Sequence, residues 1–446
     1  MVTSRVGRVL SHPVSTCHIR RPWNRSESTA RDVDAISAFL RLCVDRHFIP
    51  RAHANSGWGR GGTNCGGFGP LGAELRRNLL DQWWRAVTGS TAQVFGINSL
   101  ISSKDTPTNV RLVESEVVNQ LLDQQELSKD QLIQKVRALL QSSASLRTSF
   151  LQGALEQYVP LLDLVNRKLP FGLAESGPCF QHSYGSNCPV EVTQTSLVWF
   201  CSPRTSSRWL DHWARHRLKW WRKFSLSPSH FSSSDVPEQE LEEVVSRGVR
   251  IYYSFPWGDE TLETLWSRGD TELLKTHKGD RDILQCRDGR KSIPHVISVT
   301  GNMDCGVMAY LYNSFQQLKR EDGKQKLQQR KVVKLHPLLT PVKVALDIGK
   351  GATVELRQVC EGLLQEFLEA KIFAWPGYLE TTQISMEQLN AKYDELGVLF
   401  TVVISENTLQ SGLLQVRSRD TTIKETMHIS EIRNFLSRYI CAAGNI

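Results

Sequence analysis

Phe68-Gly69-Pro70-Leu71-Gly72-Ala73-Glu74-Leu75-Arg76-Arg77-Asn78, with Trp83-Trp84 just beyond, is the stretch on which the fold turns. Glycine dominates residues 57–69, and a helical pattern runs over 71–87. The glycine-rich part has neither a strand–loop–helix setting nor a Gly-Lys-Ser/Thr ending, so it reads as a loop and not as a P-loop. Two further stretches belong with it. Leu169-Pro170-Phe171-Gly172-Leu173-Ala174 runs into Gly177-x-Cys179-Phe180, and Pro294-His295-Val296-Ile297 leads to Met303-Asp304-Cys305-Gly306.

In that order the three stretches resemble the catalytic core of class II glycyl-tRNA synthetases. The resemblance implies an α+β fold: a class II aminoacyl-tRNA synthetase-like antiparallel sheet core. It also implies an ATP site built on two arginines, since a reacting phosphate calls for a planar, bidentate, permanently charged donor. This chain departs from the pattern at those positions. Gln181 stands where the family has the motif 2 arginine, followed by His182 and Ser183, and Cys305 stands at the motif 3 arginine. Ser298 replaces the acid that faces the glycine ammonium. Losing two charge-stabilising contacts costs several orders of magnitude in rate. The expectation is therefore a synthetase scaffold without catalytic residues, cofactor or metal.

The 446 residues exceed one core, and two or three domains are expected. Apolar residues make up 40% and charged ones 22%, the balance of a soluble globular protein, and no apolar run reaches membrane-spanning length. The ten cysteines form no Cys-x-x-Cys pair, which argues against a disulfide framework or zinc site. A net charge of +8 is compatible with a polyanionic partner. Arg5, Arg8, Arg20, Arg21 and Arg25 accumulate among serines and threonines, with no acid before Glu27. Such a leader, residues 1–30, suits a mitochondrial transit peptide, with a basic tail as the alternative.

Residues 31–50 have helical spacing. Residues 110–166 read as a helical block between synthetase-like segments, hence an insertion. Ser128 and Gln131 suit a capping box ahead of Leu132, Val136, Leu139 and Leu140. A hairpin of this kind must bury its apolar stripe against its own core or a second copy. Residues 195–201 read as a core strand. Over 207–224, Leu210, Trp213, Ala214, Leu218, Trp221 and Phe224 share one helical arc, and Arg208, His212, Arg215, Lys219 and Arg222 share the opposite one. Such a stripe tracks phosphates or is a solvated face. Arg217 falls in the apolar arc and calls for an ion pair or a snorkelling stem. Residues 225–247 read as a surface loop leading to a short helix. Residues 316–334 carry seven Lys and Arg against Glu321 and Asp322 and read as a loop-like basic connector.

Residues 331–446 read as βαβαββα, a mixed sheet with helices on both faces. Leu335-His336-Pro337-Leu338-Leu339-Thr340-Pro341-Val342-Lys343-Val344-Ala345, Tyr393-Asp394-Glu395-Leu396-Gly397 and Val416-Arg417-Ser418-Arg419-Asp420-Thr421 resemble the synthetases' anticodon-binding domain. Arg204-Thr205-Ser206, Trp220-Trp221-Arg222-Lys223-Phe224, Arg287-Asp288-Gly289-Arg290-Lys291 and Trp375-Pro376-Gly377-Tyr378-Leu379-Glu380-Thr381 narrow the resemblance further. They are similar to the accessory subunits of animal mitochondrial DNA polymerase gamma. That family implies a homodimer joined through the inserted helices. It implies a processivity factor for the catalytic subunit, binding of double-stranded and primer-template DNA, and residence in the mitochondrial matrix nucleoid.

The expected organisation is a leader (1–30), a first core part (31–109), a dimerisation insertion (110–166), a second core part (167–330) and a polymerase-docking α/β domain (331–446). Candidate phosphate contacts are Arg208, Arg215, Lys219, Arg222, Lys324, Lys326 and Arg330; candidates for a polymerase-facing rim are Lys334, Arg417 and Arg419. A diverged mitochondrial glycyl-tRNA synthetase and a tRNA-binding module are the competing readings.

Overall fold

The computed structural model describes residues 30–51, 67–89, 93–103, 110–123, 128–182, 189–320, 328–349, 351, 353–380 and 385–444. Residues 1–29 of the leader, most of the glycine-rich loop, Ser183, Lys324 and Lys326 lie outside these.

The core is a seven-stranded sheet in the order Val94–Gly96, Phe171–His182, Pro189–Cys201, His295–Asn302, Gly258–Gly269, Arg247–Phe255, Phe231–Asp235. The first pair is parallel and every other pair antiparallel. Alternation sends successive side chains to opposite faces. Leu197, Trp199, Ile297, Val299 and Leu265 pack with the helices Pro70–Thr88, Ser206–Lys223 and Met303–Ser314. Leu173, Val198, Phe200 and Val296 pack with the short helices Leu151–Glu156 and Tyr158–Leu161.

The opening stretch earns its position through close contacts. Pro70 starts the helix, where its missing N–H costs nothing, and Leu71, Leu75, Leu79 and Trp83 are its buried row. A Cβ on Gly72 would lie 2.2 Å from the Phe48 carbonyl oxygen, so only glycine lets the helix meet that backbone. Asn78 donates to the carbonyls of Leu339 and Thr340, joining this helix to the start of the C-terminal domain.

The insertion is only partly helical. Helices Ser115–Leu122 and Lys129–Ser142 rise from a three-stranded sheet of Ser102–Ser103, Ala144–Leu146 and Arg111–Leu112. Ser128 and Gln131 form the expected capping box. Leu155, Tyr158, Leu162 and Val165 belong to the protein's own core, while neither arm helix has a buried residue.

The basic connector is a β-hairpin, Phe315–Arg320 against Gln328–Val333, rather than a loop. Its charges hid an alternation that places Phe315 opposite Val333. Residues 225–247 supply an edge strand, Phe231–Asp235, held by Phe231 in the aromatic core. The C-terminal domain has a five-stranded mixed sheet in the order Ala374–Trp375, Val344–Ile348, Phe400–Ile404, Leu413–Ser418, Lys424–His428. Helices Thr353–Glu369, Met386–Leu396 and Ile429–Gly444 accompany it. The edge strand Lys424–His428 and the short helix Glu406–Ser411 were not legible as elements.

Candidate nucleic-acid and subunit interfaces

Gln181, Cys305 and Ser298, the positions that the synthetase resemblance aligns with the ATP and glycine contacts, have these surroundings. Gln181 is exposed near the end of its strand. Cys305 is buried at the first turn of Met303–Ser314, its N–H bonded to the Asn302 cap at 3.0 Å. Ser298 is buried and its hydroxyl accepts from Arg268 Nε at 2.8 Å. On strand Phe171–His182, Arg147 reaches Glu175 at 3.1 Å and the Pro178 carbonyl at 2.9 Å, and lies 4.2 Å over the Phe150 ring. A Cβ on Gly177 would meet Arg147 Nη2 at 2.9 Å, so this guanidinium packs directly on the segment that resembles motif 2.

Helix Ser206–Lys223 is amphipathic as its spacing implies. Leu210, Trp213, Trp221 and the following Phe224 are buried, while Arg208, His212, Arg215, Lys219 and Arg222 are exposed. Arg217 points inward with no exposed surface and binds Glu263 through Nε and Nη2, at 3.0 and 2.7 Å. The Trp220 ring covers it at 4.3 Å. A buried, matched pair leaves the outer stripe to carry the surface charge. Arg222 also donates to the Phe231 carbonyl, which fixes its stem. His216 lies beneath the stripe; burial, with Arg217 beside it, lowers its pKa to about 4, so it is neutral at physiological pH. Thr205, Arg208, Trp209, Asp211, His212 and Arg215 line an open groove of about 420 Å³ on this face. Trp209, next to Arg208 in sequence, was not singled out by helical spacing, because a half-buried tryptophan at the boundary of two arcs belongs to neither.

Three rim or phosphate candidates are turned inward instead. Asp394 is buried and receives Arg417 through two bonds of 2.9 Å and Arg330 at 2.8 Å. Arg419 is 2% exposed and donates to the carbonyls of Val333, Leu335 and Gly397. Arg417 and Arg419 are thus no charged rim, and Arg330 is committed to Asp394. The reason is local: Gly397 caps helix Met386–Leu396 with φ of 75°, and its free carbonyl needs a donor that Arg419 provides. The motif 393–397 and the motif 416–421 bind one another. Arg46 adds a further tie to Glu395 at 2.6 Å. Lys334 is half-buried at the end of the hairpin, the one rim candidate that stays near the surface.

The arm offers a different surface. Val118, Leu122, Ile133, Val136 and Leu140 are all exposed. Isolated apolar residues are common on surfaces, but a stripe along two helices calls for a partner.

Residues 342–439 match the family model described as "Anticodon binding domain". The chain is 51% identical over 425 residues to the DNA polymerase subunit gamma-2 of Mus musculus, covering 92% of each chain. It belongs to the DNA polymerase subunit gamma-2 family. A Xenopus laevis relative, named DNA polymerase subunit gamma-2, mitochondrial, is 44% identical and covers 99% of this chain and 96% of that one. Glycine–tRNA ligase of Thermus thermophilus is 24% identical over 90% of this chain and 98% of its own. The synthetase-like architecture and the family thus agree.

Proposed function

We propose that this chain is the accessory subunit of the mitochondrial DNA polymerase, without chemistry of its own, and that it raises the processivity of the catalytic subunit. The observation that carries this reading is 51% identity over nearly the whole length to a subunit named for that polymerase. The naming of the frog relative supports a mitochondrial site of action, within which we place it at the matrix nucleoid. Gln181, Ser298 and Cys305, now respectively exposed, bonded to Arg268 and buried under a helix cap, support a scaffold freed from ATP chemistry.

The exposed stripe of the arm helices supports a homodimer, since a second copy would cover it with the same residues in a two-fold arrangement. The exposed face of Arg208, Arg215, Lys219 and Arg222 supports contact with duplex or primer-template phosphates. The C-terminal domain, with Lys334 at its near edge, is the proposed dock for the catalytic subunit. Added contacts would slow dissociation of the polymerase from DNA by linkage.

Primer extension by the gamma catalytic subunit at moderate salt, with excess trap DNA, tests this. Longer products per binding event in the presence of this protein are expected. Unchanged product length, together with glycine-dependent ATP–pyrophosphate exchange, would instead establish a synthetase.

A further inference from the structure

We propose that the groove over the first turns of helix Ser206–Lys223 receives one unpaired nucleotide of single-stranded DNA, its phosphates between Arg208 and Arg215 and its base against Trp209 and His212. This deepens the DNA-binding reading above and rests on it.

The groove differs from an ordinary cationic face in having an aromatic floor. Trp209 is half-buried, anchored on Trp199 with ring centroids 4.8 Å apart, so it is held in place rather than free to rotate. His212 stands edge-on to Trp209 at 5.2 Å and lies parallel to His216 at 6.1 Å, with planes 13° apart. His216 is neutral at physiological pH for the reasons given above, so the ring beneath His212 adds no competing charge. Arg208 and Arg215 are seven residues apart, a rise of about 10 Å, which sets one guanidinium at each end of the aromatic pair. Neither has an ion-pair partner among the described residues. Asp211, the acid among the lining residues, pairs with Arg247 at 2.8 Å, a guanidinium it shares with Asp235.

Charge alone would suit either form of DNA. The rings select. In a duplex each base has both faces covered by its neighbours, so side-chain rings in a groove can stack only on a base that has left the helix. A volume of about 420 Å³ accommodates a nucleotide.

The test measures anisotropy of a labelled oligodeoxythymidine and of a labelled duplex of equal length, titrated with the full-length protein. His212→Ala changes an exposed side chain, and Trp209→Leu retains apolar packing on Trp199; both are checked by thermal melting. Each should weaken single-strand binding by roughly fivefold or more, the equivalent of about 1 kcal/mol of stacking, and leave duplex binding within about twofold. Arg208→Glu with Arg215→Glu should weaken both. If His212→Ala weakens both forms equally, or leaves single-strand binding unchanged, the nucleotide site is wrong and the helix contacts backbone only. If the double arginine variant affects neither DNA, the DNA-binding reading of this helix fails with it.

Discussion

The loss of Asp394 should be felt strongly. Asp394 is 1% exposed and bridges Arg417, whose side chain is 9% exposed, and Arg330, whose side chain is 25% exposed. Asp394→Ala leaves the Arg417 guanidinium without its partner in a nearly dry site, facing a second cation. Removing one member of a buried pair costs about 3–5 kcal/mol. At roughly 2–4 °C per kcal/mol, melting should fall by roughly 6–20 °C. Arg330→Ala removes the more solvated partner and keeps the Asp394–Arg417 fork, so about 1 kcal/mol is expected. Arg417→Ala belongs between the two, because Asp394 retains Arg330. The assay is thermal melting of the three single variants, with hydrogen exchange in strand Leu413–Ser418 and helix Met386–Leu396 to localise the loss. The order Asp394 > Arg417 > Arg330 follows from burial and geometry alone. If Arg417→Ala melted like the parent yet lost affinity for the catalytic subunit, Arg417 would be a contact residue and the lock would be wrong.

Three further outcomes are expected. Val136→Asp with Leu140→Asp places charges on the exposed arm stripe; sedimentation should show monomers with unchanged melting of the core, and an unaltered dimer would place the interface elsewhere. Removing two proposed phosphate contacts with Arg215→Ala and Lys219→Ala should lower the slope of log affinity against log salt for duplex DNA by roughly 2, and an unchanged slope would show that these residues do not meet phosphates. His336 is lowered to about 4 by burial, with Lys223, Lys343 and Arg419 nearby, and its Nδ1 accepts from the Leu338 N–H. Unfolded, it takes up a proton near its ordinary 6.5, so the folded state binds fewer protons between about 4 and 6.5. Stability should therefore drop as pH falls through that window, and His336→Asn should flatten this part of the urea-midpoint profile.

Much of the architecture was legible because its signals are local. The helical pattern over 71–87, the Ser128–Gln131 capping box and the two-sided arc of residues 207–224 each depend on neighbours within a turn or two. Motif order carried the synthetase resemblance, because glycines such as Gly72 are dictated by backbone approach and leave a fixed residue pattern. One edge strand of the C-terminal sheet was missed. Lys424–His428 is almost wholly exposed, so it lacks the apolar alternation by which strands are read.

From the sequence alone, the family resemblance, the fold class and the side of the cationic helix that faces outward were determined, because periodicity and motif spacing survive without knowledge of contacts. Only the tertiary structure decided what each charge does. Arg208 and Arg417 are both arginines in motif-bearing stretches, yet one stands in solvent and the other is forked onto Asp394. The partner of Arg417 lies 23 residues away and that of Arg217 lies 46 away. Whether a guanidinium is available to a phosphate depends on which distant carboxylate the fold brings beside it, and spacing along the chain does not encode that distance.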